Sequence, residues 1–85
     1  MKIKMTHTFE KCAKKFHRNQ VKFIEDAIDA IAKNPEMGEP KKGDLAGVFV
    51  YKFRINRQLI LLAYLYDESA KLITLLLPWL AREFL

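Results

Sequence analysis

The sequence has few of the residues that build disulfide frameworks, flexible linkers or membrane spans. Its 85 residues include one cysteine, three glycines and three prolines. The single cysteine, Cys12, excludes an internal disulfide and fits a reducing compartment. Charged residues interrupt every apolar run before it reaches the roughly 18 residues that suggest a bilayer span. We therefore expect one cytoplasmic domain over residues 1–85, with no membrane segment.

The sequence has fewer acidic than basic residues. Fifteen Lys and Arg stand against ten Asp and Glu, which gives a formal net charge of +5. Residues 1–22 carry seven of the basic residues against Glu10 alone. Such a field attracts polyanions, either nucleic acid or an acidic protein segment, although a solvated helix face that only keeps the protein soluble would give the same pattern.

Metal and cofactor sites are not indicated by the sequence. His7 and His17 have no companion at metal-ligand spacing, and there is no zinc, phosphate-loop or nucleophile motif. Cys12 shares a helical face with Phe9 and Phe16, so we expect a small buried apolar group rather than a nucleophile. We expect no metal and no cofactor.

The residues up to the first proline predict a helical hairpin. Thr8 can cap a helix that begins at Phe9, and Asn19 can cap a second helix that continues through Lys33. Asn34-Pro35 should end the second helix, because a residue before proline is pushed out of helical geometry. The apolar positions expected to form its buried stripe are Val21, Ile24, Ala27, Ile28 and Ile31.

Four strands are expected around these helices, over residues 3–6, 48–55, 58–66 and 72–77. Residues 34–44 should form a loop, and Asn56-Arg57 a hairpin turn. On the second strand Lys52 and Arg54 share one face. The other face, expected to lie against the helices, carries Phe49, Tyr51, Phe53 and Ile55. The sequence thus predicts an α+β fold in which the first strand and a three-stranded antiparallel meander form one four-stranded sheet.

Two short helices cannot cover both faces of such a sheet. The third strand is apolar on both sides, as a central strand covered on both faces would be. We expect the second face to be completed by the C-terminal tail or by another chain.

Four segments carry a resemblance to a known family. They are Asn34-Pro35, Gly43-Asp44-Leu45-Ala46-Gly47, Val50-Tyr51-Lys52-Phe53 and Leu61-Leu62-Ala63-Tyr64. In this order of elements, they resemble the ParE-like branch of the RelE/ParE toxins of bacterial type II toxin–antitoxin systems. The likeness covers about residues 3–77 and is most specific over 43–53. It leaves 78–85 as an atypical tail of a single RelE/ParE-like domain.

The resemblance implies a growth-inhibiting toxin, of the kind that stabilises plasmids, with a cognate antitoxin as its partner. It leaves open a homodimer or a hetero-oligomer with the antitoxin. ParE-like members block DNA gyrase without hydrolysis, whereas RelE-like members cleave messenger RNA at the ribosome. RNA cleavage needs cations for the phosphorane charge and groups that accept and donate protons.

The residues that match the family's site are Lys52 and Arg54, the basic pair of the second strand. At the third-strand arginine position the alignment places Ile60, and Arg57 in the turn is a poor substitute. We name Lys52, Arg54 and Arg57 as candidate residues for contact with phosphate or target. The family's nucleases also use catalytic residues near the C-terminus. The absence of the third-strand arginine and of those C-terminal residues favours the ParE-like, gyrase-type mode, and the alternative is a ribosome-dependent nuclease.

The C-terminal tail leaves two further readings open. In this branch of the family, the chain usually continues through a Gly-Ser/Pro-His-Glu-Asn-Phe-Tyr segment. Here it reads Trp-Leu-Ala-Arg-Glu-Phe-Leu over residues 79–85, which permitted codons can give from that segment in a shifted frame. A toxin inactivated by this tail is therefore a further reading. A basic RNA-binding module is the last, and the apolar excess on the strands makes it less attractive.

Overall fold

The computed structural model describes residues 2–16, 18–41 and 47–80. Its elements are β1 (Lys2–Met5), α1 (His7–Ala13), α2 (Arg18–Lys33), β2 (Glu39–Pro40), β3 (Val48–Ile55), β4 (Gln58–Asp67) and β5 (Leu72–Leu80). The strands lie in the order β1-β5-β4-β3-β2, where β1 is parallel to β5 and the other neighbours are antiparallel. The predicted α+β class is confirmed, with β4 at the centre of the sheet.

The described part of the sheet has five strands rather than the four expected. The extra strand, β2, lies in the segment predicted to be a loop. Glu39 is paired with Val50 and Pro40 with Phe49. The amide of Lys41 then donates to the carbonyl oxygen of Val48 at 2.8 Å. A two-residue edge strand that contains proline has no periodicity to read, because its geometry comes from the partner strand.

The first helix begins two residues earlier than predicted. Thr6, not Thr8, is the cap, and its Oγ1 accepts a hydrogen bond from the amide of Phe9 at 3.0 Å. The same hydroxyl lies 3.0 Å from the carbonyl oxygen of Leu75 and 3.1 Å from that of Leu76. Thr6 directly follows β1, so one side chain caps α1 and also fastens the helix start to β5.

The second helix presents the expected apolar stripe to the sheet. Ile24, Ala27 and Ile31 are buried, and the outer members of the stripe, Val21 and Ile28, are half-buried. The helix begins at Arg18, so the predicted cap at Asn19 is wrong and that residue lies within the first turn.

Cys12 is half-buried, which corrects the expectation of a buried group. Phe9 is 2% exposed, but Phe16 lies beyond the end of α1 and is only partly buried. Because α1 ends at Ala13, the helical face assumed for all three residues does not extend far enough to enclose the thiol.

The last strand continues three residues past its predicted end. The added residues include Pro78, and proline cannot donate to a strand ladder. However, β1 pairs with β5 only as far as Leu75, and Pro78 lies opposite Leu62 of β4. Beyond Leu75, the described residues place a neighbouring strand on one side of β5 only, and an edge position of this kind tolerates proline.

The two faces of the sheet have different cores. The helix-facing side holds the main one, whose fully buried residues include Ile31, Ile55, Ile60, Leu62, Tyr64, Ile73 and Leu75. The opposite side, here called the outer face, holds a smaller cluster of Val50, Leu61 and Ala63, with Leu59 and Leu76 against it. A bulge in β5, where Leu75 pairs with Tyr64 and Leu77 with Ala63, leaves Leu76 unpaired. The bulge reverses the alternation, so that Pro78 is buried opposite Leu62.

Three sequence expectations concern residues outside the described ranges. They are the last part of the loop predicted over 34–44, the expectation that His17 binds no metal, and the tail from 81 onward. Neither helix that the structure describes is long and apolar enough to cross a membrane.

Candidate functional site

Strand β3 places the two basic candidates on the outer face. Lys52 and Arg54 are exposed there, in alternation with residues that face the helices. The helix-facing set is the one predicted, since Ile55 belongs to the main core and Phe49, Tyr51 and Phe53 pack against it. Burial of the aromatic positions fixes the strand's register, and a strand's period of two then directs both cations to the opposite side.

Lys52 is held by a carboxylate from β2. Its Nζ lies 3.3 Å from Oε2 of Glu39, and Nζ of Lys41 lies 3.9 Å from Oε1 of the same carboxylate. The hydrogen bond from Lys52, with the charge of Lys41 second, lowers the pKa of Glu39 below its usual value. Glu39 is therefore a stable anion beside two lysines, with little tendency to take up a proton near neutral pH.

Arg54 and Arg57 come together at the other end of β3. Asn56 and Arg57 form a two-residue turn between β3 and β4, in which Asn56 has the positive φ of 53° that such turns require. The turn and the first turn of α2 enclose a groove of about 630 Å³. Its polar lining consists of Gln20, Arg54, Asn56, Arg57 and Gln58. The structure thus places Arg57 with Arg54 in one groove, while Lys52 is ion-paired with Glu39.

The side chain of Ile60 faces the helices, so an arginine at this position would not lie on the outer face. It is fully buried against the helices, and its partner in β3 is Phe53. The β4 residues opposite Lys52 and Arg54 are Leu61 and Leu59. Since every one of these β4 positions is aliphatic, β4 supplies no cation to the outer face whichever residue is aligned with the family's arginine.

Proton-transfer groups are scarce around the two basic residues. Among the described residues, Tyr51, Tyr64 and Tyr66 contact the helix-facing core rather than the outer face. Asp67 is the last residue of β4, where its Oδ1 accepts a hydrogen bond from the amide of Ala70 at 3.1 Å. Glu39 is the one described carboxylate that forms an ion pair with Lys52. The outer face can therefore hold an anion, but the part of it that the structure describes presents no second carboxylate or tyrosine beside Lys52 and Arg54.

Tyr64 organises the segment that carries Glu39. Its hydroxyl donates to the carbonyl oxygen of Pro35 at 2.6 Å and accepts from the amide of Gly38 at 3.2 Å. Burial raises the pKa of Tyr64, and the hydrogen bond from Gly38 partly opposes that rise. These two bonds hold the chain between α2 and β2, so they set the position from which Glu39 reaches Lys52.

Sequence reasoning missed both Glu39 and the groove. Glu39 lies in a segment without periodicity, and its partner is 13 positions away on another strand. Gln20 reaches the groove from α2, where nothing in the spacing of residues marks it. The glycine at position 38 is the one feature of the local sequence that marks a close approach of the backbone to another group. A β-carbon there would lie 2.7 Å from the Tyr64 hydroxyl oxygen. Among the described residues, no group of three His, Cys, Asp or Glu could hold a metal ion.

Three solved structures share this fold. The RelBE2 toxin–antitoxin complex from Mycobacterium tuberculosis has a TM-score of 0.76 and 20% identity, with 91% of this chain and 93% of that chain covered. The intact E. coli RelBE complex has a TM-score of 0.75 and 10% identity, with 91% and 92% covered. The isolated E. coli RelE toxin has a TM-score of 0.75 and 10% identity, with 94% and 83% covered.

The sequence comparisons match a family model but no individual curated protein. No curated protein sequence matches the chain. The model of the ParE-like toxin of type II bacterial toxin–antitoxin systems matches residues 3–82, which is nearly the whole sequence. The strand–helix–helix–meander order and the fold shared with RelE agree with that match. This chain therefore belongs to the ParE-like toxin family.

Proposed function

We propose that this toxin arrests growth by binding a protein target of the gyrase type, in the cytoplasm, and does not cleave RNA. The observation that carries the proposal is the scarcity, within residues 2–16, 18–41 and 47–80, of proton-transfer groups beside Lys52 and Arg54. Glu39, the carboxylate at Lys52, is engaged by two lysines and has a lowered pKa. A depressed pKa makes it both a weak base and a poor proton donor near neutral pH.

We further propose that a cognate antitoxin neutralises the toxin by covering its remaining apolar surface. Two of the complexes that share the fold contain an antitoxin. At the β1 edge of this sheet, Ile3 is 38% exposed and Met5 47% exposed. An exposed edge strand with apolar side chains favours a partner segment that folds as it binds.

The experiment that tests the target is pulse-labelling of DNA and protein synthesis within minutes of inducing the toxin without antitoxin. We expect DNA synthesis to fall first, and purified toxin to inhibit supercoiling by gyrase. A matched induction of the Lys52→Ala, Arg54→Ala double variant controls for the burden of expression. Translation that fails first, with cleaved messenger at ribosomes, would overturn the gyrase-type proposal.

A ribosome-dependent nuclease is the second candidate. The outer face brings three cations, Lys41, Lys52 and Arg54, to the same side of neighbouring strands. Cations in this number are what phosphorane stabilisation needs. This candidate would have to draw its acid and base from residues beyond the described ranges or from the ribosome. If neither synthesis changes on induction, the remaining reading is a toxin inactivated by its tail.

A further inference from the structure

The exposed side of α2 carries a charge pattern that the proposed function does not use. Four exposed residues follow one another at helical spacing, namely Arg18, Lys22, Glu25 and Asp29. Positions three or four apart lie on the same side of a helix, so the four form a single row, here called the charged row. Its first half is basic and its second half is acidic, so the row as a whole is neutral.

This order of charges is unfavourable for the helix by itself. Arg18 and Lys22 are like charges four positions apart, and such pairs destabilise a helix. Glu25 and Asp29 repeat the conflict one turn later. The start of a helix favours acidic residues, yet the first turn of α2 contains none. Among the described residues, ion pairs form only around Glu39, so the protein does not neutralise the row. A local conflict of this kind is typical of a functional surface.

Apolar surface lies beside the charged row. Val21 is three positions from Arg18 and four from Glu25, and Ile28 is three positions from Glu25, so both lie on the flank of the row. Both are half-buried, so the core leaves part of their surface open to a second molecule. Exposed ion pairs contribute little to association by themselves, whereas burial of apolar area supplies the attraction. The charges would then set the orientation of the contact.

We propose that two copies of this chain associate through α2, with the helices antiparallel about a two-fold axis midway along the charged row. That axis places Arg18 opposite Asp29 of the second copy and Lys22 opposite Glu25 of the second copy. Because the axis repeats each contact, four pairs of opposite charge form. A parallel pair in register would set like charges against each other, so the order of charges selects the antiparallel arrangement.

The charged row fits a second copy better than a partner of one charge. An acidic segment or a nucleic acid would meet Glu25 and Asp29 as like charges, whereas the row is complementary to itself. The net charge of +5 opposes association, but physiological salt screens this repulsion beyond about 8 Å. The proposal goes beyond the gyrase-type function. It also leaves Lys52 and Arg54 accessible, because the core of α2 packs on the opposite face of the sheet.

The test is sedimentation equilibrium of the full chain at several concentrations in about 0.15 M salt. We expect a reversible equilibrium between monomer and dimer. Lys22→Glu should weaken the dimer about tenfold, because it converts two attractive pairs into two repulsive ones. The matched control, Lys4→Glu, changes the net charge equally on β1, three strands from the β3 strand that α2 contacts. It should alter the dissociation constant by less than about twofold.

An exchange of charges separates the pairing from the net charge. The double variant Lys22→Glu, Glu25→Lys keeps the parent's net charge and restores opposite charges at both contacts. We expect it to dimerise about as tightly as the parent. The single variants Lys22→Glu and Glu25→Lys should each dimerise weakly, and their mixture should recover the dimer. Circular dichroism at the assay temperature checks that every variant is folded.

Three outcomes would overturn the proposal. A parent that stays monomeric up to about 1 mM would leave the charged row to a different partner. Equal effects of Lys22→Glu and Lys4→Glu would show that net charge alone governs association. A double variant that dimerises no more tightly than Lys22→Glu would exclude the antiparallel register.

Discussion

The hydroxyl of Tyr64 donates a hydrogen bond of 2.6 Å to the carbonyl oxygen of Pro35, 29 residues earlier in the chain. This bond joins the central strand of the sheet to Pro35, two residues past the end of α2. The same oxygen accepts from Gly38, directly before the strand that bears Glu39. The position of the outer-face carboxylate thus depends on a phenol buried on the opposite side of the sheet.

We expect Tyr64→Phe to lower the free energy of unfolding by about 1–3 kcal/mol, because the buried amide of Gly38 loses its partner. Urea unfolding measures the change. Tyr51→Phe is the matched control, since Tyr51 is half-buried and its hydroxyl has no hydrogen bond among the described residues. Equal effects of the two substitutions would show that the Tyr64 hydroxyl contributes nothing specific.

Gly38→Ala should destabilise the protein by about 1–3 kcal/mol through overpacking. The new β-carbon would lie 2.7 Å from the Tyr64 hydroxyl oxygen and 3.2 Å from the carbonyl oxygen of Val50. Because the worst contact is with the hydroxyl, the same substitution should cost less in the Tyr64→Phe background. A double-mutant cycle by urea unfolding measures this coupling, and strictly additive effects would contradict the steric explanation.

The Glu39 cluster should make stability depend on pH in the acidic range. Its pKa is lower in the folded protein than its usual value near 4.5. The interaction therefore stabilises the fold above that value, and the stabilisation is lost as the pH falls through the folded-state pKa. Urea midpoints of the parent and Glu39→Gln should differ at neutral pH and converge in acid. Glu36→Gln is the control, since exposed Glu36 forms no ion pair among the described residues. A gap that stays constant with pH would exclude the cluster as the cause.

Replacing Lys52 and Arg54 together by alanine should abolish growth arrest and leave the protein folded. Both side chains are exposed, and exposed charges contribute little to stability. Colony counts after induction measure toxicity, and thermal unfolding checks the fold. Lys2→Ala with Lys4→Ala removes the same charge at the opposite edge of the sheet, where Lys2 and Lys4 are also exposed. Full toxicity of the folded Lys52, Arg54 variant would exclude these residues from the site.

Thr6→Ala should destabilise the protein by about 1 kcal/mol through loss of the helix cap. It should also weaken the attachment of α1 to β5, because the same hydroxyl contacts the carbonyl oxygens of Leu75 and Leu76. Thr8→Ala, an exposed threonine within α1, is the internal comparison and should have a smaller effect. Chemical unfolding of both variants measures the difference, and a larger loss at Thr8 would reverse the assignment of the cap.

The sequence predicted the parts of the fold that depend on local periodicity. Alternation from Val48 to Ile55 correctly separated the helix-facing aromatics from Lys52 and Arg54. Period 3.6 likewise identified the buried positions of α2. Both patterns are local, because each reflects burial of one side of a single element.

The features that escaped prediction depend on residues far apart in the chain. Tyr64 holds the segment before β2 through its hydrogen bonds to Pro35 and Gly38. Because β2 has only two residues and one is Pro40, strand propensity cannot predict it. The sequence contains two threonines, Thr6 and Thr8, that could each cap the first helix. The contact of Thr6 with the carbonyl oxygen of Leu75 distinguishes them, and this contact is visible only in the folded chain. The alignment that places Ile60 at the family's arginine position could not show that this residue faces the helices. The groove at Arg57 could not be predicted without knowing where α2 lies relative to the β3–β4 turn, because Gln20 of α2 lines it.

The pairing of β1 with β5 also fixes the order in which the toxin can be completed during synthesis. Lys2 is paired with Leu72, so the first strand cannot pair until a segment about 70 residues later has been translated. The Thr6 cap waits for Leu75 in the same way. Contacts at such large sequence separation form late, because loop closure must precede them. A nascent chain that ends before β5 lacks the partner of its first strand, so the sheet can reach its native strand order only after β5 has been synthesised.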